Sequence, residues 1–237
     1  MEFLRGFNEI IFPTRCISCS ALGSPLCMHC SAIWCHQPYF QRLSRDSKST
    51  LLVSSSVLYS PIASHILLAA KESNVKKSTE LVALALEYSF QKLLLREPNL
   101  QVSALVPIPS RPQAVRARGR DFLHVITQSL AVKFEIPATP ILGYSKKVKD
   151  QSGLTSEERW NNLNDSLVVK DRTLVGKVVG KVPGKVQGVL LVDDLVTTGA
   201  TLLAAEKALN QAGILAIGAV TACVAQPLRY GGGRAPF

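Results

Sequence analysis

Beyond residue 50, short apolar runs alternate with stretches whose apolar residues recur at helical spacing. The apolar runs, bounded by turn residues, predict buried strands at residues 51–59, 102–107, 188–192 and 214–224. Helical spacing predicts helices at 122–134 and 200–212, the second ended by Gly213. Strands that alternate with helices favour an open α/β fold, in which helices flank a mostly parallel sheet.

Composition divides the chain into three predicted segments. Residues 1–40 hold five of the six cysteines and form a small module, and the polar run that follows predicts a linker at 41–50. Residues 51–237 form the main predicted domain. Within it, residues 176–187 repeat a Gly-Lys-Val pattern with a period of four residues, which is too short for a solenoid and predicts a surface hairpin or loop expansion.

One uncharged stretch, residues 51–70, has the length of a membrane span, but it contains five serines together with Pro61 and His65. A strand followed by a helix that begins at Pro61 explains it better. The first residues lack a basic region followed by a long apolar run, so they do not predict a signal peptide. We therefore expect a soluble, cytoplasmic protein with no membrane span.

The strongest chemical signal follows the predicted strand at 188–192. Two adjacent acids, Asp193 and Asp194, precede a hydroxyl-rich turn and a helix. In open α/β sheets, ligands bind beyond the carboxyl ends of strands, and the first amides of a helix attract phosphate. The acids would repel phosphate but can accept hydrogen bonds from the paired hydroxyls of a sugar. The structural alternative is that the acids end a strand and Thr198 caps a helix.

Basic residues are concentrated in one part of the chain. The formal net charge is +10, and residues 111–149 carry eight basic residues against two acidic ones, whereas residues 1–40 are neutral. Such a concentration suits a polyanion, either a small molecule with a pyrophosphate group or a nucleic-acid backbone. For the arginines between 111 and 120, a solvated helix face is the structural alternative.

The cysteines of the N-terminal module occur as two Cys-x-x-Cys pairs, Cys16 with Cys19 and Cys27 with Cys30. In a reducing compartment this spacing indicates one tetrahedral structural Zn²⁺ site with four thiolate ligands. The alternatives are free buried cysteines, or His29 and His36 as replacement ligands. Cys35 remains outside this set, and Cys223 is predicted to be a buried small apolar residue.

With these motifs, the chain resembles the ComF family, competence-associated proteins that combine a zinc ribbon with a type I phosphoribosyltransferase domain. Residues 188–201 are similar to the family's loop for 5-phosphoribosyl-1-pyrophosphate (PRPP). The resemblance implies that Asp193 and Asp194 bind the ribose 2′- and 3′-hydroxyls and that Mg²⁺ accompanies PRPP. The implied ligands of the 5′-phosphate are Thr197, Thr198, Gly199, Ala200 and Thr201.

Three further segments carry the resemblance. Residues 106–109 and the arginines after them are similar to the family's Val-Pro-x-Pro and Arg-x-Arg-x-x-Gly elements, which implies pyrophosphate contacts from Ser110 and Arg111. The segment that contains Gln151, Arg159 and Asn162 is similar to its flexible loop, and residues 70–71 echo its Leu-Lys-Tyr element. The chain departs at residues 118–122, where Arg-Gly-Arg-Asp-Phe replaces the family's Arg-Gly-Phe-Asn-Gln.

The implied activity is transfer of the phosphoribosyl group from PRPP to an unidentified nitrogen acceptor, with departure of pyrophosphate from the ribose C1. The sequence identifies neither the acceptor nor a general base. The alternative is a non-catalytic accessory protein of DNA uptake that binds PRPP, a nucleotide, single-stranded DNA or proteins of the competence machinery. Because the cysteine module is neutral, we expect it to dock on the main domain or a partner rather than on DNA.

Overall fold

A five-stranded sheet lies at the centre of the fold. The computed structural model describes residues 14–46, 49–145, 167–170 and 186–225. The strands of the central sheet are β1 (Tyr39–Asp46), β2 (Ser49–Leu58), β3 (Leu100–Pro107), β6 (Val186–Val196) and β7 (Ala216–Val224). The short strands β4 (Leu142–Tyr144) and β5 (Leu167–Val169) pair in a separate antiparallel sheet. The helices are α1 (Met28–Ile33), α2 (Pro61–Lys71), α3 (Lys76–Arg96), α4 (Pro112–Arg118), α5 (Phe122–Phe134) and α6 (Ala200–Gln211).

The strand order of the central sheet is β1-β2-β7-β6-β3. Only the β1–β2 pair is antiparallel; β2 with β7, β7 with β6, and β6 with β3 are parallel. Helices α3 and α5 pack on the sheet and on each other, and α6 packs on β6, β7 and β1. The predicted α/β architecture, a mostly parallel sheet flanked by helices, is confirmed.

The sequence of β6 explains its central position. Its residues 189–192 are Val-Leu-Leu-Val, and all four are 0% exposed. A continuous apolar run of this kind is typical of a parallel strand that is covered on both faces. Gly188 precedes the run because a Cβ atom there would lie 2.4 Å from the carbonyl oxygen of Leu215.

Two serines of the uncharged stretch, Ser54 and Ser55, are buried and hydrogen-bonded inside the fold. The hydroxyl of Ser54 donates to the carbonyl of Ser89 at 2.8 Å, and the Ser89 hydroxyl donates to the carbonyl of Thr221 at 2.8 Å. Ser55 and Thr221 bond through their hydroxyls at 2.7 Å. These bonds join β2, α3 and β7 and satisfy polar groups that would be costly to bury unpaired.

Most predicted elements are present, and one segment differs. Residues 39–46 form β1 and residues 49–58 form β2, so the predicted linker at 41–50 carries an antiparallel strand pair. The polar run concealed this because β1 is an edge strand, and among the described side chains in its part of the run only Leu43 packs against the core. Of the Gly-Lys-Val repeat, only residues 186–187 lie within the described chain, at the start of β6.

None of the helices in the described part of the chain combines the length and the apolar character needed to cross a bilayer.

Candidate functional site

The carboxyl ends of three parallel strands meet at one edge of the sheet. Pro107 of β3 is level with Val192 of β6, and Thr221 of β7 is level with Asp193. The amide of Ile108, in the turn after β3, donates to the Val192 carbonyl at 2.9 Å. This register brings the two acids next to the turn that contains Ser110 and Arg111, at the edge where α/β sheets bind ligands.

The two acids occupy the last part of β6 and are almost fully buried. Asp193 is 8% exposed and Asp194 is 5% exposed. The amide of Asp194 donates to Oδ1 of Asp193 at 2.9 Å. Oδ2 of Asp194 forms an ion pair with Nζ of Lys71, the last residue of α2. The acids therefore have different neighbours: among the described residues, an ion pair with a cation is formed by Asp194 and not by Asp193.

Burial raises the pKa of Asp193 well above its usual range, and the adjacent Asp194 carboxylate raises it further. The Asp194 amide and the Lys71 ammonium lower it but do not offset the effect of burial. Two buried acids side by side cannot both ionise at low cost. Such a shift is more common at binding sites than in structural positions.

We expect the fold to lose stability as pH rises because of Asp193. Its folded-state pKa lies above its unfolded-state pKa, so the folded protein binds more protons between these two values. The free energy of unfolding is therefore highest below the unfolded pKa and falls as pH rises through the folded pKa. Asp193→Asn should remove this fall and raise Tm at neutral pH by a few degrees, since about 1 kcal/mol moves Tm of a chain this size by ~2–4 °C.

Denaturant unfolding across the pH range checks this prediction. Glu80→Gln, at an exposed position on α3 that pairs with Lys77, is the matched control and should keep the wild-type pH dependence. Identical pH profiles for Asp193→Asn and wild type would contradict the raised pKa.

The turn after the acids exposes two hydroxyls and then tightens at a glycine. Thr197 and Thr198 are exposed, whereas Gly199 and Ala200 are buried and Thr201 is half-buried. Gly199 has φ +77°, a left-handed conformation that disfavours other residues. A Cβ atom at this position would also lie 2.4 Å from Cδ1 of Leu43 on β1. Both the backbone angle and the contact with β1 therefore require glycine here.

The first amides of α6 remain largely available. Ala200 N–H donates to Oγ1 of Thr198 at 3.4 Å, a weak bond, and the helical ladder starts with Leu203 N–H on the Gly199 carbonyl at 3.0 Å. Among the described residues, no protein acceptor faces the N–H groups of Gly199, Thr201 and Leu202. The capping role considered for Thr198 thus involves one weak bond. The N-terminus of α6 keeps donors and a positive dipole end for an anion.

Ser110 and Arg111 lie in the turn after β3. The Ser110 hydroxyl donates to Oδ1 of Asp121 at 2.9 Å, and Asp121 caps α5. Arg111 is exposed, and its guanidinium lies close enough to the Tyr144 hydroxyl to lower the pKa of that group. Burial is the larger effect and raises the pKa of Tyr144, as does the charge of Asp193. Arg111 and Asp193 therefore both lie within electrostatic range of Tyr144.

The other arginines of this segment differ in their roles. Arg118 bonds the Glu72 carboxylate through two nitrogens, at 2.8 and 2.6 Å, and Arg120 donates to the Ala70 carbonyl at 2.6 Å. These two half-buried side chains connect α4 and the following turn to the end of α2, so both are engaged by protein groups. Arg111 and Arg116 remain exposed.

Two residues of the site were not identified from the sequence as ligand-site residues. Lys71 is the first charged residue after the uncharged stretch 51–70, which was a usable signal. For Tyr144 the sequence contains no such signal, because its proximity to Asp193 depends on the position of the β4–β5 sheet. Gln151, Arg159 and Asn162 lie outside the described residues.

The four predicted zinc ligands form a cluster. The sulfur atoms of Cys16, Cys19, Cys27 and Cys30 all lie within 4.8 Å of one another, and Cys19 and Cys27 approach to 3.6 Å. A tetrahedral site with Zn–S bonds of about 2.3 Å requires sulfur separations of ~3.8 Å. The four cysteines thus fit a structural Zn²⁺ ion.

The pKa values of the thiols also show that the four sulfurs are held close enough to influence one another's ionisation. Burial raises the pKa of Cys30 to about 12, and the neighbouring Cys27, Cys19 and Cys16 add to the effect. At Cys16, burial acts in the same direction, but N–H donors of Cys19, Cys27 and Ser18 lower the pKa to about 6. A divalent cation would displace the remaining thiol protons and relieve the repulsion among thiolates.

The cysteine module docks on the main part of the fold. Nδ1 of His65, on α2, lies 2.9 Å from the carbonyl oxygen of Ser18, which sits between the first two cysteines. Ile17 and Leu26 pack against the core, and Trp34 is buried within it. The expectation that the module docks on the main domain is consistent with these contacts.

Comparisons with known proteins give a structural likeness. No family model matches the chain, and no curated protein matches it. Among solved structures, the chain is similar to one described as an adenine phosphoribosyltransferase, with a TM-score of 0.40 and 12% sequence identity. The match covers 79% of this chain and 85% of that one. The strand order and register establish an α/β fold with a mostly parallel sheet, and a four-cysteine cluster lies near the N-terminus.

Proposed function

We propose that this protein binds PRPP with Mg²⁺ at the end of β6 and transfers the phosphoribosyl group to a nitrogen acceptor. One observation carries the proposal: two buried acids at the end of β6 are followed, after four residues, by a left-handed glycine and a helix N-terminus with N–H groups that lack a protein acceptor among the described residues. A sugar phosphate has the complementary groups, a diol at one end and a dianion at the other. The order of these groups along the chain matches their order in the ligand.

Each part of the site then has a role. Asp193 and Asp194 accept hydrogen bonds from the ribose 2′- and 3′-hydroxyls. The turn and first residues of α6, from Thr197 to Thr201, hold the 5′-phosphate through N–H and hydroxyl donors. Arg111, exposed and close to Tyr144, takes the pyrophosphate together with Ser110.

The reaction needs little covalent participation from the protein. Pyrophosphate leaves the ribose C1, positive charge develops on the ring, and the acceptor nitrogen attacks the opposite face. The site holds the ligand at both ends, and the Arg111 guanidinium stabilises the negative charge on the departing group. Phosphate oxygens are among the ligands that Mg²⁺ prefers, so this ion would bind together with PRPP and would supply further neutralisation of the pyrophosphate charge.

We also propose that the chain is a ComF-type protein in which residues 1–40 form a structural zinc ribbon. The paired cysteines, the Val-Pro-Ile-Pro turn and the acid-and-threonine loop occur in one chain and in that order. Thiolate ligands of this kind require a reducing compartment such as the cytoplasm. A role in DNA uptake is part of this proposal.

Pyrophosphate release tests the activity. When the protein is incubated with PRPP, Mg²⁺ and a panel of nitrogen bases and amines, we expect acceptor-dependent release well above the background hydrolysis of PRPP. Arg111→Gln should lower kcat/KM by about ten- to a hundredfold, since a hydrogen bond to a charged group contributes about 1.5–3 kcal/mol. Arg116→Gln, the other exposed arginine of this segment, is the matched control.

The outcome separates the two functions considered for this chain. Binding of PRPP without release, together with salt-sensitive binding of single-stranded DNA, would favour the non-catalytic alternative. Two of the arginines between residues 111 and 120, Arg118 and Arg120, bond groups at the end of α2, which argues against DNA binding by this set of arginines. Failure to bind PRPP at all would refute both the ligand and the activity.

A further inference from the structure

The ion pair between Lys71 and Asp194 is unusual in its position. The Lys71 side chain is 27% exposed and the Asp194 side chain 7%, so the contact lies at the boundary between the sheet and solvent. Lys71 is the last residue of α2, where the negative end of the helix dipole also favours a cation. Nothing in the role proposed for the acids, as acceptors for a sugar diol, by itself requires a lysine here.

The residues on both sides of Lys71 are bonded by arginines. Arg120 donates to the carbonyl of Ala70 at 2.6 Å, and Arg118 forms two bonds with the carboxylate of Glu72. Both arginines belong to the segment that begins with the Ser110–Arg111 turn. Arg118 and Arg120 thus hold the end of α2 in the position where Lys71 pairs with Asp194. These arginines are engaged by the protein itself.

We infer that Lys71 is a positioning residue of this site: its ammonium group orients the Asp194 carboxylate and balances the charge of the acid pair, so that both acids can accept hydrogen bonds from a sugar diol. This inference rests on the proposed binding of PRPP. Removal of one partner of a largely buried ion pair leaves the other charge uncompensated, which is far more costly than loss of an exposed pair.

The charged and titratable neighbours make the inference testable by pH. Asp193 is affected by Asp194 and Lys71, and Lys71 lowers the pKa of Asp193. On the β4 side, burial is the largest cause of the raised pKa of Tyr144, the charge of Arg111 lowers that pKa, and the charges of Asp193 and Asp121 raise it. On β7, burial and the charge of Asp194 raise the pKa of Cys223, and Lys71 lowers it, so this thiol stays neutral.

A consequence of this role is that PRPP binding is coupled to the release of a proton. A sugar hydroxyl donates best to an ionised carboxylate, so PRPP binding should release the proton held by Asp193 to solvent. Affinity then rises as pH rises through the pKa of Asp193. Without Lys71 that pKa moves up, and the rise in affinity should occur at higher pH.

Three variants test this role by calorimetric titration with PRPP and Mg²⁺ across pH. We expect Lys71→Met to weaken binding at neutral pH by about tenfold or more and to move the pH midpoint upward. Lys71→Arg, which keeps the charge, should restore the wild-type midpoint. Lys77→Met, at an exposed position on α3, is the control and should bind like wild type. A variant that merely disturbed the fold would weaken binding without moving the midpoint.

A second measurement needs no ligand. Carbon-13 NMR titration of the aspartate carboxyls, assigned with Asp193→Asn, should show a higher midpoint for Asp193 in Lys71→Met than in wild type or Lys71→Arg. An unchanged midpoint would overturn the role of Lys71 whether or not PRPP binds. A shifted midpoint with unchanged PRPP affinity would overturn its role in binding. If wild type does not bind PRPP, the proposed function fails, and the binding role of Lys71 falls with it.

Discussion

The double variant Asp193→Asn/Asp194→Asn is expected to lose PRPP binding by at least about a hundredfold while the fold remains intact. Each acid is proposed to accept a hydrogen bond from one ribose hydroxyl, and a bond to a charged acceptor contributes about 1.5–3 kcal/mol. Loss of two such bonds corresponds to roughly 10²- to 10⁴-fold in affinity. Asparagine has nearly the same shape, so the packing around the buried residues is kept.

Calorimetric titration measures the affinity, and circular dichroism with thermal unfolding measures the fold. Glu80→Gln, on the exposed face of α3, is the control for loss of one negative charge. The fold should tolerate the double variant because neutral amides replace two buried carboxyls and because Lys71, whose side chain is 27% exposed, can be solvated once Asp194 loses its charge. Wild-type affinity in the double variant would refute the assignment of the site, and unfolding would indicate that the acids are structural.

The part of the site that lies on consecutive residues could be predicted from the sequence. Four buried apolar residues, two acids, a hydroxyl turn and a helix follow each other between residues 189 and 211, and each has a local cause. A run of apolar residues predicts a strand, and Gly199 supplies the left-handed residue that the turn requires. The cysteine cluster could also be predicted from the sequence, because two Cys-x-x-Cys pairs close together are typical of one tetrahedral metal site.

Contacts between distant segments could not be predicted in this way. Lys71 meets Asp194 only because α2 ends at the same edge of the sheet as β6, which depends on the order of the strands. The same holds for Arg118, which the sequence offered as an anion ligand or a solvated residue and which instead bonds Glu72. The partner of a polar side chain depends on which groups lie near it in the folded structure. Local sequence patterns contain little information on contacts between distant segments.

Helix α2 connects the two regions of chemical interest. In its middle, His65 contacts the carbonyl of Ser18 in the first cysteine pair, and at its end Lys71 contacts Asp194. The position of the cysteine module therefore bears on the helix that holds Lys71. Loss of the module's structure should first disturb the core that it covers, where Trp34 is buried.

Removal of zinc is expected to detach the cysteine module and to lower Tm by about 10 °C or more. The module is small, and metal binding supplies most of the free energy that folds such units. Its docking contacts, Ile17, Leu26 and Trp34 on the core, are lost when it unfolds. We expect one Zn²⁺ per chain in wild type and none in Cys30→Ser, since Cys30 is one of four thiolates that complete the tetrahedral set.

Metal analysis, thermal unfolding and tryptophan fluorescence check this prediction together. The chain has two tryptophans, so a Trp160→Phe background leaves Trp34 as the reporter. Trp34 is 5% exposed, and its emission should shift to the red when Cys30→Ser or a chelator removes the metal. Cys35→Ser is the matched control, because Cys35 lies outside the cluster and should be dispensable. Full zinc content in Cys30→Ser, or loss of zinc in Cys35→Ser, would contradict the assignment of the four ligands.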